Sequence, residues 1–386
     1  MTNRIVVIGA GPTGLIFSLL NATSNAFITL LESRPPHDRN SDMRALALSN
    51  SSRYILEKIN IWEYLKKDII PIKSIHTSQK GTFGRSRLNA EEFNEEALGY
   101  IVLYGDLMKA LEEKIKKQKN LEVIYSASAQ KINDEKIESQ EVIVNQSKKL
   151  ISHSYNLLVL ADGGQSKIEG LDLKRNEKLL DHSAIVTLVR LNSPHQNIAF
   201  ERFTPSGPIA LLPNHEGNYS LVWTGPNDKI KKLMALDDES FINSLQNEFG
   251  ERAGLFKSCQ DRIIFPLVQS SVSKIKNKKI VAIGNAAQTM HPVAGQGLNT
   301  GLRDALKLSG LIINEGKGSL TEKLVGDYLS SRLAETKSML KITEGLTTVF
   351  SNDFIGVNRL RGLALSILDC TPLLKKRFVR KMSYGK

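Results

Sequence analysis

Cysteine is nearly absent from this chain: Cys259 and Cys370 are the only two in 386 residues, far apart and outside any CxxC pair. A disulfide scaffold and a cysteine-rich zinc site are thereby excluded, and a reducing compartment suits the composition. Long apolar runs are missing too; no stretch reaches the ~18 residues that a membrane-crossing helix needs. The stretch from Met1 to Leu20 is apolar enough for a leader peptide, but Gly9, Gly11, Pro12 and Gly14 interrupt it and no A-x-A-like cleavage site follows. The expectation is a cytoplasmic protein without a transmembrane segment. GxSxG, HExxH and P-loop patterns do not occur, so serine-hydrolase, zinc-protease and P-loop readings lack support, and no metal site is expected. What remains is ordinary: 41% hydrophobic and 24% charged residues exclude global disorder, in a chain long enough for two or three domains.

Charge of one sign is in excess, and unevenly placed. The net charge is +12, yet residues 355–386 hold eight Lys or Arg against a single acid, Asp369. Apolar residues such as Leu363, Leu373, Leu374 and Val379 alternate with those cations. A basic, partly amphipathic segment can lie on an anionic membrane surface, or can close the fold as a solvated basic helix. Nucleic acid is not expected as a partner, since stacking aromatics and a recognised binding signature are lacking.

Residues 4–9 read as a short buried strand, Pro12 to Leu20 as the helix after it and residues 27–32 as a second strand, which together make a βαβ unit. Helical spacing recurs at Ile55, Ile59 and Trp62 and again at Leu107, Leu111 and Ile115; strands follow around 121–125 and 156–160. Residues 76–98 are polar and patternless, which predicts an insertion or loop. From 183 to 224, four apolar runs punctuated by Gly, Pro and Asn predict antiparallel sheet. A helix is expected near 238–248, a strand of the parallel type at 279–284, and mostly helix from Gly301 to about Leu346. The order α/β, antiparallel sheet, α/β implies one domain split around another.

Three segments carry chemistry. Gly9-Ala10-Gly11-Pro12-Thr13-Gly14 is a G-x-G-x-x-G between strand and helix, whose glycines allow a tight turn, approach of a pyrophosphate and close helix packing. The helix start adds unpaired N–H groups and a partial positive charge. Glu32 ends the second strand, where an acid can accept hydrogen bonds from ribose hydroxyls. The second segment, Ala161-Asp162-Gly163-Gly164-Gln165-Ser166, follows the strand near 156–160. The third runs from Gly284-Asn285 through Pro292, Gly295, Gln296, Gly297, Leu298 and Asn299 to Asp304. By itself it is either a second anion-binding loop or a flexible connection. His195 and His291 read as structural rather than catalytic, Trp62 and Trp223 as core or interface, and the residues name no catalytic base.

In this order the three segments resemble the FAD-dependent aromatic hydroxylases of the para-hydroxybenzoate hydroxylase fold. More narrowly, GNAAQTMHPVAGQGLNTGLRDA at 284–305 is similar to the ubiquinone-biosynthesis hydroxylases, above all the 2-polyprenyl-6-methoxyphenol hydroxylase type. RALALS at 44–49, AFERFTPSGPIALLP at 199–213 and Val222-Trp223-Thr224 extend the resemblance over almost the whole chain. It implies an α/β fold in which a Rossmann-like FAD-binding domain (1–75, 99–180 and 270–345) is split around a mixed or antiparallel-sheet substrate domain (76–98 and 181–269). A basic helical region (346–386) would follow. Gly9, Gly11, Pro12, Thr13, Gly14 and Glu32 would hold the ADP half of FAD, with Arg44 near its phosphates. Asp162 and Gly163 would sit between the FAD- and NAD(P)H-related functions. Gly284 and Asn285 would meet the ribityl or ribose region, and Pro292 to Asn299 would line the isoalloxazine. The late Gly-Asp of the family is Gly284-Asn285 here, an Asn that the resemblance to the methoxyphenol-hydroxylase subgroup includes. The central motif's Ser-x-x-Arg is Ser166-Lys167-Ile168-Glu169, with Lys167 as the nearest cation.

The implied activity is hydroxylation of a polyprenylated phenol on the route to ubiquinone, with NAD(P)H and O₂ as co-substrates. Partners would include an anionic membrane surface at the inner face, a biosynthetic complex or a second copy of the chain. A prenyl reductase of the same fold and a catalytically silent scaffold are the rivals; the Trp-x-Trp-x-Ile-Pro signature of a flavin-dependent halogenase is absent.

Overall fold

The computed structural model describes residues 2–36, 42–81, 85–133, 140–165, 167–289, 296–315, 320, 322–332, 369 and 371–384. Its first layer is a parallel five-stranded sheet. In spatial order the strands are Ile280–Ala282, Leu157–Leu160, Asn3–Ile8, Ala26–Glu32 and Leu121–Tyr125. These strands are apolar on both sides because both faces are covered. Ile5, Val7, Ile28 and Leu30 pack under the helices Pro12–Leu20, Tyr104–Ile115 and Gln296–Glu315. Val6, Ile8, Leu31 and Leu158 face a three-stranded antiparallel sheet, Ala127–Asn133, Gln140–Gln146 and Lys149–Tyr155. The βαβ unit, the strand at 121–125 and the helix over Leu107 to Ile115 stand where the residue pattern places them.

The second layer is a larger sheet of nine strands. Along it run Gln288–Thr289, Ile263–Ile275, Leu173–Leu191, Tyr219–Pro226, Gly207–Pro213, Ile198–Thr204, Ser74–Gln79 and Arg85–Asn89, with Phe256–Cys259 beside the long third strand. Here the structure corrects one expectation. The segment 76–98 is not a loop: two strands of this sheet and a 3-10 turn, Ala90–Phe93, fill most of its described part. Strand Ser74–Gln79 pairs in parallel with Ile198–Thr204, and its Ser, His, Thr and Gln residues mask the usual apolar alternation. One face of the large sheet carries Ile185, Ile209, Leu221 and Trp223, buried beneath helices Asn227–Met234 and Asp238–Phe249.

The two layers meet through a small sheet of Ala45–Leu48, Gly99–Leu103 and Ile70–Ile72. Leu48 belongs to the core of the first layer, whereas Ala45 and Ala47 pack with Ile72, Ile101, Ala199 and Leu212 of the large sheet's side. Helix Pro372–Tyr384 docks on the outside, burying Val379 with Leu88, Ala90 and Leu98.

Candidate active site

Strand order in the parallel sheet reverses between Asn3–Ile8 and Leu157–Leu160, and the crevice at the carboxyl ends of such strands is where ligands bind in this class of sheet. The glycine-rich turn and the central Asp-Gly segment leave the sheet at that point. Gly9 has φ of +103°, and a Cβ there would lie 2.7 Å from the Ala161 carbonyl and the Asp162 Cα. At Gly14 a Cβ would overlap the Gly9 carbonyl oxygen, so this glycine is what lets helix Pro12–Leu20 close on the turn. Gly11 differs. Its φ of −75° is ordinary and, among the described residues, a Cβ would meet nothing within 4 Å and no side chain caps the helix start. A cradle bounded by backbone and open at one glycine, in front of an uncapped helix terminus, fits a pyrophosphate. Glu32 is buried; its Oε2 accepts from Ala10 N at 3.1 Å and its Oε1 from Arg34 N at 3.1 Å, so it also ties the turn to the second strand.

The late segment enters the same place. Gly284, with φ of +59°, and Gly301 enclose Thr13: a Cβ on Gly284 would lie 3.0 Å, and on Gly301 2.8 Å, from Thr13 Oγ1. Asp304 Oδ2 accepts from Gly284 N at 3.0 Å and from Arg332 Nε at 3.2 Å, a buried pair that holds the turn. Asn285 is exposed, with its Oδ1 3.6 Å from the position of a Cβ on Gly297. Asn299 accepts from Ser49 N at 2.8 Å and Ser52 Oγ at 2.6 Å, and donates to the Ala47 carbonyl at 2.8 Å. The helix start at Gln296, Gly297 and Leu298 is thereby fastened to the small sheet between the layers. Pro292, Gly295 and His291 lie outside the described residues.

Asp162 Oδ1 accepts from Gly164 N at 2.9 Å and shapes two successive left-handed glycines, Gly163 at +74° and Gly164 at +79°. Over Gly164 stands a cation that residue spacing does not reveal. The Arg175 guanidinium carbon is 2.8 Å from where a Gly164 Cβ would be; the guanidinium donates to the Ala286 carbonyl at 2.8 Å and to Ser270 Oγ at 3.3 Å. Arg175 therefore joins the central segment, the late turn and the large sheet. Lys131, by contrast, takes Glu169 in an exposed pair at 2.8 Å.

Arg44 immediately precedes strand Ala45–Leu48 of the small sheet. Asp42 holds its guanidinium at 2.6 to 3.0 Å and the ring of Tyr104 lies 4.6 Å from it. Burial opposes ionisation of Asp42, but the hydrogen bonds and charge of Arg44 outweigh it and hold the carboxyl below its ordinary range. His195 is engaged at both nitrogens, with Asn214 O at 2.7 Å and Asn197 N at 3.2 Å. Trp223 is buried against Phe241 and Trp62 against Tyr100, both as packing residues.

A two-layer α/β molecule with a glycine-rich turn at the switch point of its parallel sheet has the architecture of a dinucleotide-binding protein. A family model described as FAD binding domain matches residues 2–343, and the chain belongs to that family. It is a FAD-dependent monooxygenase. The chain is similar to the ubiquinone hydroxylase UbiM of Neisseria meningitidis, 28% identical over 98% of this chain and 84% of that protein. Similarity to the ubiquinone hydroxylase UbiL of Rhodospirillum rubrum is 26% identity over 97% and 88%. The crystal structure of p-nitrophenol 4-monooxygenase from Pseudomonas putida superposes with a TM-score of 0.81 across 99% of both chains, at 14% identity, and so shares the fold.

Proposed function

We propose that this protein hydroxylates the ring of a polyprenylated phenol or methoxyphenol in ubiquinone biosynthesis. The observation that carries the reading is the similarity, over nearly the full length of both partners, to proteins named as ubiquinone hydroxylases. FAD, reduced by NAD(P)H, supplies activation of O₂ for transfer of one oxygen atom to the ring. Gly9, Gly11, Pro12, Thr13, Gly14 and Glu32 hold the adenosine and pyrophosphate part in this proposal. Asp162, Gly163, Gly284 and Asn285 shape the turns beside it, and Gln296 to Asn299 present the helix start whose positive end suits negative charge on a reduced ring. Arg44, whose Nε and Nη2 are held by Asp42, would approach a phosphate in this proposal.

A polyprenyl tail favours work at a membrane surface, and helix Pro372–Tyr384 offers one means. Lys375, Val379 and Ser383 face inward, while Leu373, Lys376, Arg377 and Arg380 are exposed. Among the described residues no helix is long and apolar enough to cross a membrane, so the association proposed is peripheral. The test is an oxygen-electrode assay of the FAD-loaded protein with NADH or NADPH and a prenylated phenol. Oxygen uptake matched by a product one oxygen atom heavier supports the reading. Reductant consumed with saturation of the tail and no oxygen uptake would replace it with a prenyl reductase.

A further inference from the structure

The large sheet has a second face, opposite the helices, and it is built differently. Strand Ile198–Thr204 pairs with both neighbours without a register shift, so its side chains alternate strictly. Phe200 packs on Tyr219 and Phe249 on the helix side, and Arg202 donates to the Glu248 carbonyl there. Ala199 points the other way, onto Ala45, Ala47 and Ile101 of the small sheet. Glu201 shares that face with Ala199, two residues along the strand, a step of about 6.6 Å.

Directly across the strands from Glu201 stand Ala210 and Thr77, and beyond Ala210 come Val222 and Val186. Each of these five is half-exposed, although they lie on central strands of the sheet, whereas Ile209, Leu221, Trp223 and Ile185 behind them are buried. The middle of the sheet thus presents a small-residue, largely apolar wall bearing one carboxylate, next to the strand that Asn299 fastens to the late motif. No cation pairs with Glu201 among the described residues, and its cross-strand neighbours on this face do not titrate. His76 and Arg202 lie on the other face. Burial alone pushes its carboxyl up to about 7. Glu201 is thus partly exposed on the face of the sheet that no helix covers.

We propose that Glu201 is the base that accepts the hydroxyl proton of the phenol at the apolar sheet face between the two layers. The proposal rests on the hydroxylase reading given above. The phenolic O–H bond breaks, an O–H bond forms on a Glu201 carboxylate oxygen, and the electron pair stays on the phenolate, where it enriches the ring carbon that is to be hydroxylated. The reverse transfer returns the proton to the hydroxylated product. A base poised near neutrality is suited to this step, which contributes typically 10²- to 10⁴-fold.

The test uses the FAD-loaded protein and its variants Glu201→Gln and Glu201→Asp, with 2-farnesylphenol as substrate. Glu201→Gln is expected to keep its flavin and to bind the phenol with nearly the wild-type dissociation constant in equilibrium dialysis, because the amide oxygen still accepts a hydrogen bond. Its kcat should fall on the order of 100-fold or more, with KM little changed and the wild-type rise in rate through pH 7 lost. Glu201→Asp should restore part of the rate. A ring-fluorinated analogue already ionised at the assay pH should shrink the wild-type to Glu201→Gln ratio towards one. A flavin-loaded Glu201→Gln that hydroxylates 2-farnesylphenol at the wild-type rate overturns the proposal and leaves the hydroxylase reading standing. Should Glu201→Gln fail to fold, the Asp variant decides: a changed pH limb supports the proposal and an unchanged one overturns it. If the wild-type protein hydroxylates no prenylated phenol, the hydroxylase reading falls and the proposal with it.

Discussion

Gly11 and Gly14 serve opposite purposes three residues apart. At Gly14 the constraint is internal, since a Cβ would run into the Gly9 carbonyl. At Gly11 a Cβ would meet no atom of the described residues within 4 Å, so under the proposed assignment a side chain there obstructs the cofactor and not the fold. Gly11→Val should therefore leave far-UV circular dichroism and thermal unfolding of the FAD-free protein almost unchanged while FAD is lost on desalting. Gly14→Val should lower the melting temperature of that same FAD-free protein. Normal flavin content in Gly11→Val would remove the cradle from the cofactor assignment. Glu201 makes a second prediction through stability. Its folded-state pKa of about 7 lies above the ordinary 4.5, so the native state holds this proton more tightly than the unfolded chain does. Stability falls as pH rises between those values, because the folded state disfavours the ionised carboxylate. Glu201→Gln should thus raise the melting temperature at pH 8 and change it little at pH 4.5. Equal effects at both pH values would show that burial of the charge is not the cause.

Between elements, the interaction that secures the late turn is Asp304 with Arg332. It crosses from helix Gln296–Glu315 to the helix at 322–332, and the same carboxylate holds the Gly284 amide. Both side chains are almost wholly buried, so removing one leaves the other charged without its partner in a poor dielectric. Asp304→Ala should destabilise by roughly 3–5 kcal/mol in urea unfolding and reduce FAD retention, because Gly284 loses its anchor. A loss below about 1 kcal/mol would mean that Arg332 finds another acceptor. Arg175 plays a related part across the layers: one guanidinium spans the Gly164 turn, the Ala286 carbonyl and Ser270. A cation absent from the central motif's usual sequence position is present beside it in space.

On the scale of the whole molecule, the excess positive charge meets the question of the membrane. Helix Pro372–Tyr384 is held by Lys375, which donates to the Arg87 carbonyl at 2.9 Å and pairs with Asp369 at 3.0 Å, and by Tyr384, which donates to Glu95 at 3.1 Å. These ties leave Lys376, Arg377 and Arg380 exposed on the outer side. The combined replacement of these three by Gln keeps the docked face intact. It should weaken binding to vesicles containing phosphatidylserine by about 3 kcal/mol at low salt, roughly 100-fold, with the difference shrinking as ionic strength rises. Sedimentation of vesicles with bound protein measures it. Unchanged partitioning would take the membrane role away from this helix.

The first βαβ unit was legible from residue order alone, because its signals are local: apolar runs, a proline at the helix start and glycines at fixed spacing. The same holds for the order of the three motifs and for the four strands between 183 and 224. What the order of residues did not contain was which distant groups share a place. Thr13 between Gly284 and Gly301, Asp162 against Gly9, and Arg332 on Asp304 are separated by up to hundreds of residues, and only chain reversal brings them together. The strands at 74–79 and 85–89 escaped notice because their stability comes from pairing with neighbours and not from an apolar period of their own. Glu201 is the sharpest case. In sequence it is one acid within AFERFT; the pleat decides that it lies on the face opposite the helices, and the surrounding protein decides how readily it ionises.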